Sequence, residues 1–340
     1  MHFSKIYVIL FFSVISALFL EESMVIWWIL IAVAILLLGG LVAMFAYTYP
    51  IAKRVYKEQL VRTSPDKWGR TCSFPDDEEQ VQMWHDGIAW MERNKERITE
   101  LHIENDGLNL FGQYFDFGAD RCVIILPGRC ESLIYSYYFA PPYEKAGFNV
   151  LVIDSRCHGK SDGIYNTIGL KESDDVLAWA KLVHEQFGNK EIYFHGICIG
   201  TSSGLFAITA DRCPDYMKGF VTEGCYISFY ETFKRHMMAL NRPLFPVLPM
   251  VMHLIRKHTG TNVYKYKPIS AIAQVRPDCR VLFLYGEKDI FSIPEKSRQL
   301  FAACSSQDKK LVWFDKGGHS HLRINNTEKY DHAIMEFFKK

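Results

Sequence analysis

The sequence predicts an α/β protein with a mostly parallel, eight-stranded sheet flanked by helices, preceded by an apolar N-terminal segment. Three observations predict it. From about residue 96, short β-rich runs alternate with longer helical stretches, the signature of an α/β sheet. Several of these runs, such as Val150–Ile153 and Val281–Tyr285, are continuously apolar, which suits parallel strands covered on both faces. The charges are also unevenly placed. Residues 1–50 hold only Lys5, Glu21 and Glu22 of the chain's 39 basic and 38 acidic side chains.

The strands are expected at Ile98–Ile103, Leu108–Phe115, Cys122–Leu126, Asn149–Ile153, Glu191–Phe194, Phe220–Thr222, Val281–Tyr285 and Leu311–Phe314. Asn105-Asp106-Gly107 between the first two reads as a hairpin turn. The rhythm breaks once, at about residues 227–270. This insertion is rich in Phe and Met and is punctuated by Pro243, Pro246 and Pro249, as expected of a small helical cap over the strand ends. Residues 51–95 are polar and read as a juxtamembrane linker followed by a lead-in helix, with the body at 96–340.

Met24–Ala46 contains 23 residues without a charge. At 1.5 Å per residue they make roughly 35 Å of helix, enough for a hydrocarbon core of about 30 Å. A second apolar run, Ile6–Leu20, suits a first helix of a hairpin turning at Glu21–Ser23, a signal peptide, or an extension upstream of a start at Met24. In each case Lys53, Arg54, Lys57 and Arg62 follow the longer run, and its other flank is acidic. The positive-inside rule then places the body on the cytoplasmic side of a cell membrane. Nine cysteines, all after residue 71, form no disulfide framework or zinc spacing, which fits a reducing compartment.

Taken whole, a net charge of +1 with 49% hydrophobic residues excludes a disordered chain and a strongly basic nucleic-acid binder. The twelve histidines show no metal-ligand spacing, and no glycine loop is built to cradle phosphate, so no metal or cofactor is expected.

The chemistry concentrates in Glu191–Gly204, where a strand runs into Gly196-Ile197-Cys198-Ile199-Gly200 and a helix of small residues. This is G-x-C-x-G in the place of the G-x-S-x-G nucleophile elbow. The nucleophile of such an elbow sits on a strained strand-to-helix turn. Side chains at Gly196 and Gly200 would collide with the neighbouring strand and helix. Gly286–Asp289 puts a carboxylate directly after a strand, and Asp315–His321 offers His319 on a glycine-rich loop, with His321 as its competitor. Cys198, Asp289 and His319 then follow the order nucleophile, acid, base. Leu126–Ser132 lies where an oxyanion loop belongs.

Two further segments carry a resemblance. Asp154, Arg156, His158, Gly159, Ser161 and Gly163 match a D-x-R-G-H-G-x-S-x-G loop, with Cys157 where glycine is usual; Thr167, Gly169, Glu172 and Asp175 follow as T-x-G-x-x-E-x-x-D. With them, residues 96–340 resemble the α/β-hydrolase superfamily, and within it the bacterial branch of membrane-anchored, serine-aminopeptidase-like hydrolases. The resemblance implies an α/β-hydrolase fold, oxyanion donors at the backbone N–H groups of Arg129 and Ile199, and a loop-shaping role for His158. Two positions depart from it. Pro127-Gly128 replaces the usual His-Gly, and Cys198 replaces serine, as in dienelactone hydrolases and polyester synthases.

The expected activity is cleavage of an ester or thioester through a Cys198-His319-Asp289 triad and an acyl-enzyme. An amide is a poorer substrate, because a thiolate leaves more readily than an unprotonated amine. The apolar cap and the anchor point to a small, apolar acyl substrate beside a lipid bilayer. Acyl transfer by a polyester-synthase-like enzyme, and a catalytically idle binding protein of the same fold, are the alternatives.

Overall fold

The computed structural model describes residues 24–339. The chain divides at Lys53/Arg54 into two units. The first is most of α1 (Met24–Leu60), whose apolar stretch has a mean hydropathy of 2.9 and is unburied; it is long and apolar enough to cross a membrane. The Ile6–Leu20 run lies outside the described residues. Helix α1 continues through Pro50 and ends at Leu60. Its last turns bury Val55, Tyr56 and Leu60, and that burial outweighs the polar character that reads as a linker.

In the second unit α2 (Glu78–Arg93) is capped by Asp77, whose carboxylate accepts from Gln80 N. The hairpin β1 (Ile98–Asn105) and β2 (Leu108–Phe115) turns at Asp106-Gly107, both at positive φ. Then come β3 (Arg121–Leu126), α3 (Leu133–Tyr138), α4 (Pro141–Lys145), β4 (Asn149–Ile153), α5 (Glu172–Phe187), β5 (Glu191–Ile197), α6 (Ile199–Ile208) and β6 (Met217–Glu223). The insertion holds α7 (Phe229–Ala239) and α8 (Val247–Thr259), and α9 (Pro268–Ile272) follows. The chain closes with β7 (Arg280–Gly286), α10 (Pro294–Ala303), β8 (Asp308–Phe314), α11 (Leu322–Asn325) and α12 (Thr327–Phe338).

The eight strands form one sheet in the order β1-β2-β4-β3-β5-β6-β7-β8. β1–β2 and β2–β4 are antiparallel and every later pair is parallel. Period-two alternation splits the strands between two apolar layers. Cys122, Ile124 and Leu126 of β3 face one layer, with Leu151, Val281 and Phe283. Val123 and Ile125 face the other, with Val150, Val152, Leu282 and Leu284. Each such side chain is almost fully buried and contributes on the order of 1.5–3 kcal/mol. The continuous apolar runs therefore arise because both faces are covered. Register aligns the C-terminal ends: Leu126 pairs with Gly196, Ile197 with Glu223, and Gly286 with Phe314. Loops from six parallel strands, β3 to β8, therefore emerge at one edge of the sheet.

Ion pairs and buried acids fix those loops. Asp154, at the end of β4, accepts from Leu133 N at 2.8 Å and Lys160 N at 2.9 Å, and pairs with Arg70 at 2.6 Å. Arg156 makes a two-point contact to Asp175 on α5, Nε at 2.8 Å and Nη2 at 2.7 Å, with both residues 3% exposed. His158 is buried, stacks on Trp68 and bonds the Arg156 carbonyl; burial pushes its pKa down to about 4. At the end of β6, the Glu223 carboxylate accepts from Tyr330 Oη at 2.5 Å and from Leu322 N at 3.3 Å. Tyr330 Oη also lies 3.2 Å from His195 Nε2, so β5, β6, α11 and α12 share one buried network. Burial pushes Glu223 up to about 7, against the opposing pull of Tyr330 and Leu322 N.

Asp175→Ala leaves a buried guanidinium with the outlying Asp106 at 3.2 Å and the neutral Lys171 carbonyl at 3.2 Å, and is expected to cost about 3 kcal/mol in urea unfolding of the detergent-solubilised chain. For Glu223 the folded chain keeps its proton to about pH 7, whereas the unfolded chain releases it near 4.5. Between those values the folded state binds the extra proton, so stability falls as pH rises through the window. Glu223→Gln removes that fall. Its stability relative to the parent chain is expected to rise by about 2–3 kcal/mol from pH 5 to pH 8; a pH-independent difference would refute the buried, protonated acid.

Candidate active site

Strand β5 ends at Ile197, and α6 begins at Ile199, so Cys198 alone makes the turn. Its backbone sits at φ 52°, ψ −115°, a conformation that costs a non-glycine residue about 1–3 kcal/mol. The flanking glycines leave no alternative. A Cβ at Gly196 would lie 2.4 Å from Thr201 Cα, and one at Gly200 would lie 2.2 Å from the Leu126 carbonyl oxygen. Cys198 N donates to the Glu223 carbonyl at 2.9 Å, which ties the turn to β6. The close approach of Gly200 to Leu126 and Pro127 also sets the elbow against the loop after β3.

Asp289 follows β7 and is 4% exposed. Its Oδ1 accepts from Phe291 N at 2.8 Å and Ser292 N at 2.7 Å, leaving Oδ2 to His319 Nδ1 at 2.8 Å. Burial alone would raise the Asp289 pKa; the His319 charge and these N–H donors reverse that and hold it below the ordinary value. For His319 burial opposes the charged ring. The negative charges of Asp289 and of a Cys198 thiolate outweigh it, so the imidazolium is favoured well above the ordinary 6.5. Among the described residues, His319 Nε2 makes no hydrogen bond of full geometry, and the Cys198 side chain is the neighbour that, after Asp289, raises the ring's pKa. His321, the competitor, turns elsewhere: Nδ1 bonds the His319 carbonyl at 2.8 Å and Nε2 lies 3.4 Å from Asp77.

Cys198, His319, His321 and Arg129 line one cavity of about 370 Å³. The Arg129 loop is held from three sides. Gly128 N donates to Glu131 Oε2 at 2.8 Å, Ser73 Oγ donates to the Cys130 carbonyl at 2.6 Å, and Arg129 Nη1 donates to the Gln59 carbonyl at 3.1 Å. Among the described residues, neither the Arg129 nor the Ile199 backbone amide has an acceptor.

Several residues here escape sequence reasoning. Gly224, at φ +66°, makes room for the His319 ring, since a Cβ there would lie 2.8 Å from His319 Cε1. Ser292 Oγ donates to the Gly224 carbonyl at 2.7 Å and links the two loops. His236, from α7, stacks on Phe291 at 3.7 Å, and Phe291 meets the His319 ring edge-on at 5.3 Å. Glu131 is buried, which raises its pKa, and it accepts from Gln80 Nε2 at 3.2 Å. A readable signal exists only for Phe291 and Ser292, the positions whose amides an aspartate two and three residues earlier caps in a turn.

A family model described as alpha/beta hydrolase fold matches residues 121–243. The uncharacterized protein YqkD of Bacillus subtilis is 24% identical over 217 residues, covering 63% of this chain and 70% of that one. An uncharacterized membrane protein of Saccharomyces cerevisiae is 24% identical over 231 residues, 67% of this chain and 74% of that one. The solved esterase Pf2001 of Pyrococcus furiosus superposes with a TM-score of 0.60 at 23% identity, over 73% of this chain and 92% of that one. The body of this chain therefore has the α/β-hydrolase fold.

Proposed function

We propose that this protein is a membrane-anchored hydrolase that cleaves an ester or thioester through Cys198, His319 and Asp289. The supporting observation is the 2.8 Å Asp289–His319 contact, with the outer nitrogen of that ring making no full hydrogen bond among the described residues, in a cavity shared with a strained cysteine. Asp289 fixes the ring so that Nε2 is the acceptor, and its charge stabilises the imidazolium.

His319 Nε2 takes the Cys198 thiol proton, and Sγ bonds to the substrate carbonyl carbon. The oxyanion is held by the Arg129 and Ile199 N–H groups, which have no acceptor among the described residues. Collapse breaks the bond to the leaving alkoxide or thiolate, which departs with the proton from His319. Water then gives a proton to His319 Nε2 and attacks the thioester, releasing the acid and restoring the thiol. The apolar α1 serves as the anchor, and Lys53, Arg54 and Lys57 at its end favour the cytoplasmic side. The description of the yeast relative as a membrane protein agrees with anchoring.

The test uses the full chain in detergent with p-nitrophenyl butyrate. Mass spectrometry is expected to find a butyryl adduct on Cys198. His319→Gln and Asp289→Asn are each expected to lower kcat/KM on the order of 10³–10⁴-fold. Oxygen from ¹⁸O-labelled water should appear in the released acid; its appearance in none of the product would mean transfer to another acceptor. An adduct on a different residue, or unchanged rates in both variants, would refute the triad.

A further inference from the structure

Among the described residues, the Arg129 charge at this site has no ionic partner. Arg129 lines the cavity with Cys198, and its Nη1 is spent on neutral partners, the Gln59 carbonyl at 3.1 Å and the Cys130 sulfur at 3.2 Å. Among the described residues its Nε and Nη2 have no partner, and no carboxylate lies within ion-pair distance. The acids near it are otherwise engaged. Asp77 caps α2 and lies 3.4 Å from His321. Glu131 is buried, holds Gly128 N and Gln80, and is pushed by burial toward its neutral form. Asp289 is matched by His319. The positive field reaches across the cavity: burial, and next the Arg129 charge, depress His236 to about 3, so that ring stays neutral. Phe74, Leu240 and Phe291 supply an apolar wall to the same space.

We infer that the cavity takes an acyl compound carrying an oxyanionic group, a carboxylate or a phosphate, which the free edge of the Arg129 guanidinium binds while the chain lies on the apolar wall. The inference rests on the hydrolase reading in that Cys198 is the reacting atom. A planar guanidinium with two adjacent free N–H groups matches two oxygens of such a group. The carboxylate or phosphate thus orients the ester carbonyl over Cys198.

Alkylation of Cys198 reads this charge without requiring turnover. The full chain in detergent is treated with iodoacetate or iodoacetamide, and each cysteine is followed by peptide mass spectrometry. The iodoacetate-to-iodoacetamide rate ratio at Cys198 is expected to exceed that of glutathione at least tenfold. Arg129→Gln should lower the ratio at least tenfold, and Arg129→Lys should retain part of it. Protection of the parent chain by glutarate but not glycerol 3-phosphate assigns a carboxylate, and the reverse assigns a phosphate; either supports the inference. A ratio equal to that of glutathione, with protection by neither anion, overturns it and needs no variant. A ratio that survives Arg129→Gln overturns it too. Cys198 resisting both reagents would overturn the nucleophile assignment and this inference together, whereas modification without charge preference overturns this inference alone.

Discussion

Everything at this site hangs on how little space surrounds the turn between β5 and α6. Cys198 is forced to positive φ between two glycines whose absent side chains would overlap Thr201 on one side and the Leu126 carbonyl on the other. That close packing brings the elbow against the loop after β3, and the Cys198 amide bonds to the end of β6. The strain, about 1–3 kcal/mol, is tolerated because a nearly dry parallel sheet holds both ends of the turn. It leaves Cys198 half-buried on the wall of a cavity rather than in the core, where most of the other cysteines lie.

Burial then decides the charge of each acid. Asp289 receives two backbone N–H groups and an imidazole, and stays ionised although 4% exposed. Glu131 and Glu223 are also buried but have fewer charge-compensating donors, and both are pushed toward the neutral form. Three carboxyl groups within one end of the sheet thus hold different protonation tendencies, for a reason visible in their hydrogen bonds. Glu223 uses this to join strand ends to the loop carrying His319, through Leu322 N and Tyr330. Glu131 uses it to shape the loop carrying Arg129.

The insertion between β6 and β7 adds the remaining wall. Its inward residues Phe233, Met237, Leu248 and Val251 are buried, while Met238, Leu240 and Phe245 are exposed. The apolar richness of the segment therefore serves two purposes, packing on the body and lining the cavity at Leu240. Composition alone does not separate them, because both uses ask for the same residue types.

The sequence by itself was sufficient for the sheet. Continuous apolar runs mark parallel strands because both faces must be dry, and all eight strands lie at the expected β-rich runs, six of them with an end extended by one to three residues. It also exposed the elbow, since the glycine spacing is a local steric requirement, and it brought forward Asp289 and His319 as residues following strands. Only the tertiary structure distinguished His319, bonded to Asp289, from His321, turned toward Asp77, because a two-residue offset on one loop is resolved by what packs behind it. Gly224, Ser292 and His236 reach the site from separate segments, and no local pattern links them. The unmatched charge of Arg129 is a property of the same kind: pairing depends on distances between residues far apart in the chain, and those distances exist only once the sheet has brought its loops to one edge.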